Sequence, residues 1–189
     1  MKTILFAVAL FVIATCAFAA SDSAGLPVGF TVPEVAMLDI YGSPVAAFTV
    51  LAPASAGLKP TVSGVQHCTL NYTTISTEDS YYDIAVEVAP ATVDPIPDGM
   101  LLNITSAAPN GVGEPGNAVS GGVDFTSLDT TGIGQWIVED IDSCYTKVGS
   151  NEGAVLTYTA TIPADDNNIA TLYAGTYHVS MVYTLSNAD

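Results

Sequence analysis

The sequence predicts an all-β protein, a single antiparallel sandwich of about ten strands. Three observations carry that reading. Val, Ile, Thr and Tyr dominate the apolar runs, whereas Gly, Pro, Asn, Asp and Ser cluster between them. The runs are short and recur every roughly 8 to 20 residues, as in a strand-rich domain. Apolar residues at a helical period are nowhere sustained over several turns.

Residues 1–20 read as a cleaved signal peptide. Lys2 supplies the positive n-region, Ile4 to Ala14 the apolar h-region, and Ala17-Phe18-Ala19 the small residues before cleavage. The run is short for a membrane span, which needs roughly 20 residues. Cys16 sits in a rival lipoprotein box, Ile13-Ala14-Thr15-Cys16, which Thr15 fits poorly. Cleavage after Ala19 or Ala20 leaves residues 21–189 as one domain, secreted or at the cell surface.

The strands follow in order. Leu26–Val32 alternates Leu26, Val28, Phe30 and Val32 against Pro27, Gly29 and Thr31. Pro27 and Pro33 mark it as an edge or separately docking strand, and so as a candidate donor strand. Val35–Tyr41, Val45–Leu51 and Thr61–Val65 come next, with the break APASAGLKP before the last. In Cys68–Ile75, Cys68, Leu70 and Tyr72 share one face, with Asn71 and Thr73 opposite. Tyr82–Val88 precedes the break VAPATVDPIPDG. In Met100–Ser106, Met100, Leu102 and Ile104 point one way, Asn103 and Thr105 the other. AAPNGVGEPGN leads to Ala118–Phe125, Ile133–Glu139 and Ala154–Ile162. After PADDNN, Thr176–Leu185 closes the chain, with Tyr177, Val179, Met181, Tyr183 and Leu185 on its core face.

Charge narrows the partners. The chain has 19 acidic residues against 3 lysines and no arginine, a formal −16. Nucleic acid, whose binding displaces counterions with Lys and Arg, is excluded, and an anionic membrane surface is an equally poor partner. Calcium, neutral glycans and other copies of the chain remain. Once Cys16 leaves with the signal, Cys68 and Cys144 are the only cysteines, and in an exported chain they read as a disulfide.

Catalytic patterns are missing. His67 and His178 are the only imidazoles, and neither accompanies a nucleophile motif. Gly111–Gly116 (GVGEPG) reads as a turn. The group Glu139, Asp140, Asp142 and Glu152 could hide a glycosidase pair, but reads better as solvated turns. The chain is therefore read as non-enzymatic. Calcium could draw oxygens from Asp165 and Asp166 in PADDNN, and from Glu139 and Asp142 in EDID, without the spacing of a known calcium loop. Asn71-Tyr72-Thr73 and Asn103-Ile104-Thr105 match the glycosylation pattern, with both Asn side chains expected to face outward. Trp136 is expected in the core beside Ile133, Ile137 and Val138, leaving Tyr41, Tyr81 and Tyr82 as exposed rings.

VPEVAMLDI (Val32–Ile40), CTLNYTTI (Cys68–Ile75), IVEDIDSCYTKVGSNEGAVLTYTATI (Ile137–Ile162) and AGTYHVSMVYTLS (Ala174–Ser186) together resemble uncharacterised exported β-sandwich proteins of Gram-negative bacteria. That resemblance implies a surface-associated sandwich and no catalytic residues. More distantly, Ala174–Tyr183 is similar to the closing strand of pilin and coat-like fibre subunits, which implies an Ig-like or pilin-like sandwich. Pilins join cysteines close together near the N-terminus, unlike Cys68 and Cys144, so only their assembly logic carries over. In that logic, a terminal strand of one subunit completes the sheet of the next. The resulting expectation is an extracellular structural protein assembling by strand donation from 26–32. The alternative is a monomeric adhesin or carbohydrate-binding module that uses calcium. The closing strand is assigned to the subunit's own sheet, as a wall of the receiver.

Overall fold

The computed structural model describes residues 29–42, 46–89, 96–129, 134–163 and 167–188. The chain divides into two compact units, Met1–Val32 and Pro33–Asp189. Of the first, only residues 29–32 are described. They form no strand, and Phe30 and Val32 are exposed. The signal segment 1–20, Leu26 and Val28 lie outside the described residues.

The second unit is all-β, as composition predicts. Its strands are Val35–Tyr41 (β1), Thr49–Leu51 (β2), Thr61–Ser63 (β3), Val65–Ile75 (β4), Tyr81–Val88 (β5), Leu101–Ser106 (β6) and Val112–Gly113 (β7). Asn117–Ala118 (β8), Val123–Phe125 (β9), Gln135–Ile141 (β10), Cys144–Tyr145 (β11), Ala154–Thr161 (β12) and Met181–Ala188 (β13) complete them, with one helical turn at Asn167–Ala170 (α1).

Strand β4, the longest, is the spine of the larger sheet. Strand β1 covers one of its edges, from Val35↔Ile75 to Tyr41↔Thr69. The other edge is shared in tandem: β12 takes Val65–Leu70 and β11 takes Thr73 and Thr74. Strands β6 and β7 extend β12 and β11 outward, and β9 adds to β6. The smaller sheet runs β13-β5-β10-β8, and β2 and β3 form a separate ribbon. All these pairings are antiparallel.

Alternation selects what is buried. Cys68, Leu70 and Tyr72 face inward from β4, and Tyr82, Ile84, Val86 and Val88 face inward from β5. They join Ile104, Phe125 and Leu156 of the larger sheet and Ile137, Val138 and Ile141 of the smaller in one cluster. Because that cluster spans both sheets, the two are the layers of a sandwich. Each large side chain so buried contributes roughly 1.5–3 kcal/mol.

Phenols add ties that apolar contact lacks. The Tyr158 hydroxyl on β12 shares a 2.5 Å hydrogen bond with that of Tyr183 on β13, and lies 3.2 Å from the Cys68 sulfur. Burial pushes the pKa of both tyrosines well above the ordinary phenol range. Tyr82, expected as an exposed ring, is instead buried on β5, where its hydroxyl donates to Glu34 just before β1.

Two strand expectations change. Ala118–Phe125 is not one strand: β8 lies in the smaller sheet and β9 in the larger, and residues 119–122 cross between them. Gly122 makes the crossing possible, at φ +70°, where a Cβ would lie 2.3 Å from the Ile104 carbonyl oxygen. The closing strand starts at Met181 rather than Thr176, because its partner β5 ends at Val88, the residue opposite Met181. Val179, Met181, Tyr183 and Leu185 do pack against the core, while Tyr177 is exposed.

The Tyr158–Tyr183 bond should be measurable as a coupling. Tyr158→Phe and Tyr183→Phe are each expected to lower unfolding free energy in urea by about 1 kcal/mol, and the double variant by less than their sum. Strict additivity would show that the two hydroxyls do not stabilise one another.

Candidate functional site

The two sides of the sandwich are closed unequally. At the far side, residues 119–122 carry the chain directly from one sheet to the other. Nothing comparable joins β1 to β13. Among the described residues β1 pairs only with β4, and β13 only with β5, so each has a free backbone edge. Between them runs an open groove of about 500 Å³, lined by Ala36, Leu38, Asp39 and Ile40 from β1 and by Tyr183, Thr184 and Leu185 from β13.

Register explains its chemistry. Ala36, Leu38 and Ile40 sit opposite Thr74, Tyr72 and Leu70, on the core face of β4. Tyr183 and Leu185 sit opposite Val86 and Ile84, on the core face of β5. The groove floor is thus the margin of the hydrophobic core, while Asp39 and Thr184 belong to the outer faces and form its rim. The Asp39 carboxylate accepts the Ile40 backbone N–H at 2.9 Å, occupying one donor of β1. β1 and β13 come within 8 Å of one another between Cα atoms, closer than the roughly 9.6 Å that a strand hydrogen-bonded to both would need, so an extended segment would find here an apolar floor and one backbone edge at a time.

The cysteines do not form the expected bridge; both are free and buried. Cys144 is opposite Thr74, six positions along β4 from Cys68. At the rise of a strand that separation is roughly 20 Å, beyond the ~7 Å limit for the Cα atoms of a disulfide. Each thiol has another neighbour: Tyr158 OH for Cys68, and Thr74 Oγ1 at 3.3 Å for Cys144. Burial raises the pKa of both thiols.

Asn71 does not face solvent as expected. It is buried, and its Nδ2 donates to the carbonyls of Lys147 at 2.9 Å and Glu152 at 2.7 Å. Residues 146–153 leave the edge of β4 after β11 and return as β12, and Asn71 pins the two ends of that excursion. Thr69 Oγ1 donates to Ser150 O within it. Gly153, at φ +80°, has no room for a Cβ, which would lie 2.1 Å from Leu70 O. A glycan on Asn71 is incompatible with this packing. Asn103 is half-buried, and its Nδ2 donates to Asp124 Oδ1 at 2.7 Å.

Trp136 is also displaced from the expected core position: it is 41% exposed. A bulge between Trp136 and Val138 turns both Ile137 and Val138 inward and leaves Trp136 opposite Ala85 on the outer face. Tyr41 and Tyr81 are exposed, as read. Of the candidate calcium ligands, Asp165 and Asp166 lie outside the described residues. The Asp142 carboxylate accepts from Ser76 Oγ and from Ser143 N, and these bonds hold its pKa below the usual range. Among the described residues, no three His, Cys, Asp or Glu side chains lie close enough to hold a metal ion. His67 Nδ1 lies 3.1 Å from Thr157 Oγ1.

No family model, curated protein or solved structure matches the chain.

The thiols provide a direct check. Denatured without reductant, the chain is expected to be alkylated at both Cys68 and Cys144, and to react slowly at both when folded. A Cys68–Cys144 cross-linked peptide in a non-reducing digest would contradict this geometry.

Proposed function

We propose that this chain is a non-enzymatic structural protein of the cell exterior that assembles with other copies of itself by β-strand donation. In this reading, segment 26–32 of one copy fills the β1–β13 groove of the next, and the sandwich is of pilin-like kind. The observation that carries it is the core margin left open between two free strand edges. Leu26, Val28, Phe30 and Val32 have the alternation such a groove accepts. Burying four such side chains contributes roughly 6–12 kcal/mol gross, against an association cost of about 4–15 kcal/mol. Backbone pairing along one edge adds to the favourable side. The acidic, arginine-free surface favours self-assembly over nucleic acid or anionic membrane.

A second reading, a monomeric adhesin for neutral glycans, gains from Trp136. Its ring is exposed beside Ala85, and Thr184 lies on the far side of Ala85 in the same cross-strand row.

Negative-stain microscopy and gel filtration of native material separate the two. The expected result is filaments that Phe30→Asp with Val32→Asp abolishes while the sandwich stays folded by circular dichroism. A native chain that runs as a monomer would sink the assembly reading. In that case, a shift of Trp136 fluorescence on adding a neutral oligosaccharide, or a calcium-dependent rise in Tm, would support the adhesin.

A further inference from the structure

The β2–β3 ribbon pairs with neither sheet, and although β3 lies near β12 and Phe48 packs against the core just before β2, its outer strand is under-protected. From residue 49 to residue 59 every position is exposed, including Val50, Leu51 and Leu58, with Val65 exposed just beyond β3. Only three residue pairs hold it together: Thr49↔Ser63, Val50↔Val62 and Leu51↔Thr61. A two-stranded ribbon of that size is marginal in water by itself. Among the described residues strand β2 pairs only with β3, which leaves its outer edge open. Edge strands are ordinarily blunted by a charge, a proline or a bulge. The run Ala46–Ala52 (AAFTVLA) contains no charge and no proline; Pro44 and Pro53 only flank it.

The distribution of charge selects the occupant. From Ile40 to Thr77 the chain has no Asp or Glu, although 19 occur elsewhere; Lys59 and His67 fall within that stretch. Two copies, each formally −16, repel wherever carboxylates face carboxylates. The acid-free ribbon is where that repulsion is least, and it exposes Val50, Leu51 and Leu58.

We infer that β2 is a self-association edge, pairing antiparallel with β2 of a second copy about a two-fold axis near Val50. Such a contact is isologous and closes on itself, giving a four-stranded ribbon shared by two copies. It uses a different surface from the β1–β13 groove and does not rest on strand donation.

The test is light scattering on the purified chain carrying Phe30→Asp and Val32→Asp, so that donation does not contribute. A discrete dimer is expected, and Val50→Lys should weaken it at least tenfold without changing the circular dichroism spectrum. Leu58→Ser, at the turn, should leave the dimer constant within about twofold. If Val50→Lys fails to fold, Val50→Thr keeps strand propensity and should weaken the dimer in the same direction. A monomer at 100 μM, a polydisperse aggregate, or a dimer indifferent to the Val50 variants would overturn the inference. So would a monomer that floats with phosphatidylcholine vesicles and loses that property with Val50→Lys, since the occupant would then be lipid. If association survives in the natural chain but vanishes with Phe30→Asp and Val32→Asp, donation stands and the β2 contact does not.

Discussion

The register of β4 is the constraint on which the rest depends. Its eleven residues present Cys68, Leu70, Tyr72 and Thr74 to the core, and its two edges are occupied unequally. One edge carries only β1. The other carries β11 and β12 end to end, so residues 146–153 must leave the sheet and return to it. That excursion is stable because Asn71 and Thr69, on the outer face of β4, bond its carbonyls directly. The same register fixes Cys68 and Cys144 at different heights along one strand. A bridge between them would require β11 to slide by several residues, losing its pairing to β4 and β7 and the packing of Asn71 together.

The open side of the sandwich follows from where the chain has strands to spend. On one side the β8–β9 crossing carries the backbone from sheet to sheet through Gly122, leaving no wide gap. On the other, β1 and β13 are supplied by opposite ends of the second unit and have no connection. Among the described residues each is paired on one edge, so the N–H and C=O groups of the other edge have no strand partner. The side chains beneath are Leu38, Ile40, Tyr183 and Leu185, which gain nothing from water. Unpaired backbone groups and apolar side chains are thus exposed together along the same margin.

How much of this was legible depended on whether the signal was local. Period-2 alternation is local, and it identified the inward faces of β4 and of the closing strand, including Val179, Met181, Tyr183 and Leu185. It failed at Trp136 because one bulge in β10 places two consecutive residues, Ile137 and Val138, in the core. It failed at Asn71 because its partners, Lys147 and Glu152, are over 70 residues away and reach it only through the loop after β11. The disulfide failed for a related reason: counting cysteines says nothing about their heights along a strand. The groove itself was not readable as residues, since β1 and β13 adjoin only through the order of two sheets. The closing strand, which forms one wall of it, stood out in the sequence by alternation, but nothing local tied it to β1.

The scarcity of cations shapes how the fold is held. With Lys59 and Lys147 the only basic side chains after residue 2 apart from two histidines, ion pairs cannot organise the interior. Hydroxyls do so instead, several of them aimed at backbone carbonyls: Tyr72 to Pro115 O, Thr74 to Asp142 O and Thr69 to Ser150 O. Unlike surface ion pairs, such bonds are little affected by salt. Burial raises the pKa of Tyr72, Tyr158 and Tyr183, so their neutral forms are favoured on folding. A raised folded-state pKa contributes stability fully below the unfolded phenol value, near 10, and loses it progressively as pH climbs from there through the folded one. The polar ties of the interior therefore stay protonated across neutral pH.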